Sequence, residues 1–552
     1  MISIAKVRFI SVAAFPAAQG VAAANCRLSR FRRSEDGSIM IFGLLLFTTI
    51  LLLVGVSLDV MRFETERTRA QYTLDRAVLA AADISQTVDA QTVVDDYFAK
   101  AGIEKFEPVA TATKGTYNEW KKVVGTLDVT TDTWFMRMVG VDTLETAAAA
   151  TAEEKIGNVE ISMVLDISGS MDDKVYDSQR RYIGTKISLL RAAASSFVDT
   201  MFTNVQGAGT NQGKLSISVV PYHQQVQLTT DFADYLNLTN EHVKSACVDF
   251  FSSDYNTTSI TATQSLPRTA HADARSSSST RSPSFRECYS YSYATMLPFS
   301  SDKTAIKSKI SGLEAEGDTA IDIGAKWGIA LLDPAMQDVM DEMIQDGGDA
   351  ALKGRPFDWN YIDTMKIMVL MTDGQNTNTY AVREPYRNGP SPMYWYKSGS
   401  TKYYLYYRPE KSGDYDYYYY NQSNGRGYWY RERDLGTLTQ MTYQELWETF
   451  SLEWYGRYYF DNAANVSTDF ADLAIAHADA SDKNARLKSV CDAAKAKGVT
   501  VFAIAYEATL AGQTALKNCV SADSYYYDAQ GSSIADAFAG IANAINMLRL
   551  TQ

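Results

Sequence analysis

At 552 residues the chain is longer than one ordinary hydrophobic core, so two or three domains are expected. Hydrophobic residues make up 46% and the formal charge is −13, which permits packed interiors throughout and argues against nucleic acid as the main partner. The five cysteines form no C-x-x-C and no metal-spaced set, so a zinc site is not expected.

Residues 1–36 read as a short tail on the inner side of a membrane. The uncharged run 37–58 is long enough to cross a hydrocarbon core of about 30 Å as a helix. It is longer than a signal-peptide core and no A-x-A cleavage site follows it. Arg27, Arg30, Arg32 and Arg33 precede the span, whereas Arg62, Arg67 and Arg69 follow it. The positive-inside rule therefore puts the tail in the cytoplasm and the C-terminal part outside. Cys26 lies on the inner side and Cys247, Cys288, Cys491 and Cys519 on the outer side, where disulfides persist. Of three possible pairings, Cys247–Cys288 and Cys491–Cys519 are expected.

The stretch from Arg32 to Phe42, the apolar span, and Asp59–Ala82 resemble the N-terminal segment of TadE/TadG-like proteins of the bacterial tight-adherence (Flp) pilus system, over about residues 32–85. The resemblance implies a pilus-assembly protein held in the bacterial inner membrane with its C-terminal part in the periplasm or outside the cell. Pilin-like members cut by prepilin peptidase carry a glutamate where this chain has Phe42, so this anchor is expected to stay uncut. Beyond the span, Val60, Phe63, Leu74, Val78 and Ala81 recur at helical steps, and residues 59–157 read as an amphipathic stalk with a small strand-containing membrane-proximal region.

From Asn158 strands alternate with helices, the signature of an α/β, doubly wound, mostly parallel sheet. Val159–Asp166, Leu215–Tyr222, Lys366–Asp373, Val499–Tyr506 and Ser524–Asp528 read as strands. Tyr182–Phe202, Ala320–Leu332, Lys483–Lys497 and Ser533–Leu550 read as helices. Two insertions interrupt the alternation. The one at about 240–300 is polar and holds Cys247 and Cys288. The one at about 377–435 holds much of the chain's tyrosine, as in Tyr403–Tyr407 and Tyr415–Tyr420. Such rings either contact a partner or form a self-packed flap.

Three short pieces carry the chemistry. Asp166-Ile-Ser168-Gly-Ser170 ends the first strand, Gly317-Asp-Thr319 opens a helix, and Thr372-Asp373-Gly374 ends another strand. Strand ends of an open parallel sheet meet at a ligand-binding crevice. Two carboxylates and three hydroxyls there form a hard oxygen set for Mg²⁺, Mn²⁺ or Ca²⁺. These residues resemble the metal-ion-dependent adhesion site of the von Willebrand factor A (vWA) family, a likeness that covers about 158–550. It implies that Ser168, Ser170 and Thr319 ligate directly, and Asp166 and Asp373 directly or through water. Mg²⁺ is the expected ion, with one position open to an acidic side chain of a protein partner. Asp318 and Asp322 either tune the site or serve the helix start.

The expected function is a non-enzymatic, metal-dependent adhesion or scaffold protein of Tad pilus assembly, with a pilus-assembly component as partner. The alternatives are a surface adhesin using the tyrosine-rich insertion and a metal-dependent hydrolase. The hydrolase needs a general base, and His223, His242, His271 and His477 are scattered.

Overall fold

The computed structural model describes residues 38–551, apart from 84–85, 115–119, 156, 207–212, 362–363, 410–412, 465 and 467. The expected tail, with its four arginines and Cys26, lies outside the described residues. The chain forms two compact units that divide between residues 156 and 157.

In the first unit one helix, α1 (Ser38–Ala82), carries both the apolar run and the stalk without a break. Its stretch from Ile39 is long and apolar enough to cross a membrane. Hydroxyls inside that stretch satisfy themselves within the helix, since Thr48, Thr49 and Ser57 donate to the carbonyls of Leu44, Leu45 and Leu53 at 2.6–2.8 Å. Beyond Asp59 the helix becomes amphipathic, and Leu74 and Val78 join Phe98, Val123 and Leu127 in a small core. The other walls are α2 (Ala90–Ala101) and an antiparallel sheet of β1 (Val109–Lys114), β2 (Trp120–Asp132) and β3 (Thr143–Lys155). Sequence periodicity anticipated strands here but not α2. Its start is fixed by Asp89, whose carboxylate accepts the Gln91 N–H at 3.0 Å.

The second unit is built on a six-stranded mixed sheet. In chain order its strands are β4 (Asn158–Asp166), β7 (Leu215–Tyr222), β8 (Leu297–Ser300), β9 (Thr364–Thr372), β17 (Thr500–Tyr506) and β18 (Tyr526–Ala529). The spatial order is β18-β17-β9-β4-β7-β8, parallel except for the edge strand β8. β4 and β7 are buried at every position, as expected of strands covered on both faces. One face packs on α3 (Lys186–Met201), α4 (Lys303–Ser311) and the final helix Ile534–Thr551; the other packs on α5 (Ile321–Ala330) and α6 (Ala480–Ala496). Near the start of β4, buried Glu160 pairs with Arg355 at 3.1 Å and Lys366 at 2.5 Å.

The sequence reading began the helix after β4 at Tyr182. Instead Tyr182–Thr185 is strand β6, which pairs with β5 (Lys174–Tyr176), and the helix starts at Lys186. The backbone N–H of Thr185, at the N-cap, donates to Ser188 Oγ at 2.9 Å and sets that boundary.

The polar insertion is stapled by Cys247–Cys288, and Cys491–Cys519 ties α6 to the loop before β18. The tyrosine-rich insertion is larger than the sequence reading placed it. Its neck is β10 (Thr379–Val382) paired with β16 (Ile475–Ala478), so structure continues well past residue 435. Between these strands lies an antiparallel sheet of β11 (Pro390–Ser398), β12 (Thr401–Tyr407), β13 (Tyr417–Asn421), β14 (Arg426–Tyr430) and β15 (Thr439–Thr442).

Candidate metal centre

The carboxyl ends of β4 and β9 are adjacent, and the three motif pieces meet there. The turn after β4 is shaped by Asp166. Its Oδ1 accepts the Ser168 N–H at 2.8 Å and its Oδ2 accepts the Thr372 hydroxyl at 2.6 Å, so one carboxylate holds its own turn and the neighbouring strand. Ser168 Oγ and Ser170 Oγ lie 3.2 Å apart, and Ser170 Oγ donates to Asp373 Oδ1 at 2.7 Å. The second piece is drawn in by the Gly169 N–H, which donates to the Gly317 carbonyl at 2.8 Å. Gly317 has φ +83°, and a Cβ there would lie 2.1 Å from Gln224 Oε1, so a side chain is excluded on both counts. Thr319 Oγ1 and Ser170 Oγ lie 3.5 and 4.0 Å from the point where a Gly374 side chain would begin. Ser168, Ser170 and Asp373 are thus in direct contact, Asp166 joins them through the Ser168 N–H and Thr372, and Thr319 and Ser170 both lie beside Gly374.

Thr319 is held by its backbone. Its N–H donates to Thr377 Oγ1 at 3.1 Å and its carbonyl accepts the Thr377 N–H at 3.0 Å. Lys483, fully buried in α6, reaches that carbonyl at 3.3 Å, the Thr377 carbonyl at 2.8 Å and Asp322 at 3.6 Å. Asp322 is thus an interior counter-ion beneath the loop. Asp318 points to a different role: Arg275 of the polar insertion pairs with it while gripping Glu287 at 2.6 and 3.2 Å. The insertion stapled by Cys247–Cys288 is in this way tied to the loop that carries Thr319.

Sequence reasoning missed Lys186. Its ammonium lies 2.9 Å from Asp373 Oδ2 and 3.4 Å from Asp173 Oδ2, and the side chain is buried. A lysine in the first turn of a helix opposes the helix dipole, and that was the available signal once the helix start was known. Burial, and then the charge of Asp373, push the Asp166 carboxyl well above its ordinary range. Burial also raises Asp373, while Ser170 and Lys186 hold it down. Lys186 stands against Asp373 and Asp173, whereas the two oxygens of Asp166 are held by the Ser168 N–H and the Thr372 hydroxyl. The donors gathered here are hard oxygens, the type that suits a small divalent cation. Among the described residues no three His, Cys, Asp or Glu side chains converge as a metal cluster, and a site here depends on its hydroxyls.

The histidines lie elsewhere in chemical terms. His223 sits beside the Gly317 loop, but its Nε2 is buried without a partner and burial depresses its pKa to about 4. His242 and His271 pair with each other at 5.7 Å between ring centroids in the polar insertion, and His477 lies in β16.

No curated protein is significantly similar to this chain in sequence. Among solved structures, the vWF domain of the type V pili tip protein Mfa5 from Porphyromonas gingivalis is similar at 15% identity and TM-score 0.29, over 71% of this chain and 97% of that one. The PilB minor pilin from Streptococcus sanguinis is similar at 11% identity and TM-score 0.28, over 80% and 77%. These scores are too low to carry an argument about fold or function. A family model described as "Putative Flp pilus-assembly TadE/G-like" matches residues 37–83, so the apolar run and the residues that follow it form a TadE/G-like segment.

Proposed function

We propose that this chain is a membrane-anchored, non-enzymatic scaffold or adhesion protein of Tad (Flp) pilus assembly, which holds a protein partner through a divalent ion bound at Asp166, Ser168, Ser170, Thr319 and Asp373. The observation that carries the reading is the chain of contacts Ser168–Ser170–Asp373 at the carboxyl ends of β4 and β9, beside Asp166 of the same turn and Thr319 of the Gly317 loop. The reading treats the six-stranded sheet with helices on both faces as a doubly wound vWA domain. It takes Mg²⁺ as the ion and the inner membrane as the location, with the C-terminal part outside the cytoplasm.

Ser168, Ser170 and Thr319 would supply neutral oxygens, and Asp166 and Asp373 the negative charge. A cation there would act as a Lewis acid with a position open to a partner's carboxylate. To ligate, Ser170 must turn its proton away from Asp373 Oδ1. The TadE/G-like segment supports a pilus component as the partner. His223, the histidine beside the Gly317 loop, is sealed from solvent and so does not supply the base that the hydrolase reading needs. The adhesin reading lacks a free aromatic surface of the size the composition suggests, because most of the insertion's rings pack on one another.

The test is a chromosomal Asp166→Asn, Asp373→Asn double variant in the native host. The proposal expects loss of assembled pili while the variant protein is still present in the membrane. Unchanged pili in that strain would rule out the metal-dependent role.

A further inference from the structure

The turn between β2 and β3 lies against the membrane-crossing part of α1. Phe135 packs on Gly55, inside the apolar run, so closely that a Cβ on Gly55 would lie 2.5 Å from the ring. Four residues on, Asp59 closes the uncharged run, yet its carboxylate does not face solvent. It is 2% exposed and accepts the N–H groups of Trp134, Phe135 and Met136 at 3.0, 2.7 and 2.8 Å. The first charge after the span is thereby enclosed by the turn, and the apolar surface continues past it.

That surface is exposed and aromatic–aliphatic. Trp134 is 60%, Met138 73% and Val139 54% exposed on the turn, and Leu58, Val60 and Met61 are exposed on the adjoining helix. Such a patch is unusual on a water-facing turn. Two arginines frame it. Arg62 stacks over the Trp134 ring at 3.6 Å, and its Nη1 is buried without a hydrogen-bond partner. Arg137 lies exposed on the turn, paired with Asp142 at 3.0 Å. A tryptophan, aliphatic side chains and arginines at the end of an apolar helix are the composition of a membrane–water interface.

We propose that residues 134–139, together with Leu58, Val60 and Met61, insert into the interfacial layer of the phospholipid bilayer that α1 crosses. Trp134, Met138 and Val139 enter the acyl–headgroup boundary, and the exposed Arg137 meets the phosphodiesters there. The inference rests on α1 being a membrane span and is independent of the metal site. The shared occupant is continuous with the span through Phe135 on Gly55, which favours lipid over a second protein.

The test uses the full-length chain in phospholipid nanodiscs, with Cys26→Ser so that the label reacts at the introduced cysteine. A nitrobenzoxadiazole label is placed at Met138→Cys and, for comparison, at Leu79→Cys, which is 68% exposed farther along α1. Both sites are exposed, so neither label disturbs a core. The expected result at 138 is a blue-shifted emission. Quenching there by lipids spin-labelled near the headgroup should be at least about twofold that at 79, with weak quenching by aqueous iodide. Equal iodide quenching at 138 and 79 would overturn the proposal. Protection of 138 from both quenchers would also overturn it, because protein rather than lipid would then cover the turn.

Discussion

The tyrosine-rich insertion and the candidate metal centre lie close along the chain, joined where Thr377 leaves β9's loop for β10, and they are built on opposite principles. The insertion is the most conspicuous feature of the composition, and it is largely occupied with itself. On one face of its sheet Tyr404, Tyr406, Tyr418, Tyr420 and Trp429 pack with Phe450, Trp454 and Tyr459, residues that are almost fully buried. On the other face the rings pack on each other: Tyr396 stacks on Tyr403 at 5.2 Å, and Tyr407 meets Tyr417 at 5.0 Å and Tyr403 meets Tyr419 at 5.8 Å with tilted rings. The metal centre has no such mass. It consists of a few short side chains: Ser168, Ser170 and Asp373 in direct contact, Lys186 against Asp373, and Asp166 and Thr319 held by the turns beside them. Abundance marks packing here, and sparse, convergent oxygen marks the site.

This contrast can be broken from either side. The largest effect is expected in the insertion. Trp454, 3% exposed and stacked on Phe450 at 5.0 Å, should cost about 4 kcal/mol when changed to alanine. Denaturant unfolding would show it, with metal binding by the rest of the unit unchanged. Deletion of Tyr394–Tyr430 should for the same reason unfold the insertion, not merely weaken a contact. A stable deletion variant that lost partner binding would restore the view of the tyrosines as an interface.

At the metal centre, Asp373→Ala should abolish ion binding and also destabilise the unit by about 3 kcal/mol, because Lys186 would keep a buried ammonium without its main partner. The fold is therefore less indifferent to this residue than the motif alone implies. Thermal unfolding of the apo variant checks it, and an unchanged midpoint would show that Lys186 turns to Asp173.

A pH effect should follow from His223, whose imidazole burial holds at a pKa of about 4 against an ordinary value of 6.5. The unfolded chain binds a proton there before the folded one does, so stability falls as pH drops from 7 toward 4. The loss by pH 5 is about 2 kcal/mol. His223→Gln should remove that share, so the variant loses less stability than the wild type between pH 7 and 5. The smallest effect is expected for Lys186→Met. Removing a fixed positive charge next to Asp373 should tighten Mn²⁺ binding about tenfold and lower the apo stability, since like charges near the ion no longer compete.

Much of the second unit was legible because its strands are buried on both faces. Leu215–Tyr222 matches its expectation residue for residue, and Val159–Asp166 lacks only Asn158. The neighbouring positions of Asp166 and Asp373 were legible for a related reason, since a parallel sheet brings its strand ends together whatever lies between them. The tyrosine sheet was not legible as a sheet. Both of its faces are aromatic, so the period-two alternation that marks a half-buried strand is missing from Tyr403–Tyr407 and Tyr417–Tyr420. Lys186 stayed hidden because Tyr182–Thr185 extends the helical pattern backward by four residues that in fact pair as a strand. Arg275 could not be found at all from sequence, because its partners Glu287 and Asp318 meet it only through the disulfide-stapled insertion.

The central claim is that the five oxygens hold a divalent cation. Electron paramagnetic titration of Mn²⁺ into the full-length chain in detergent, with acetate present as a carboxylate, tests it most directly. The account predicts one bound ion per chain, displaced by Mg²⁺, and none in the Asp166→Asn, Asp373→Asn double variant. No binding by the wild type, or equal binding by the double variant, would contradict it.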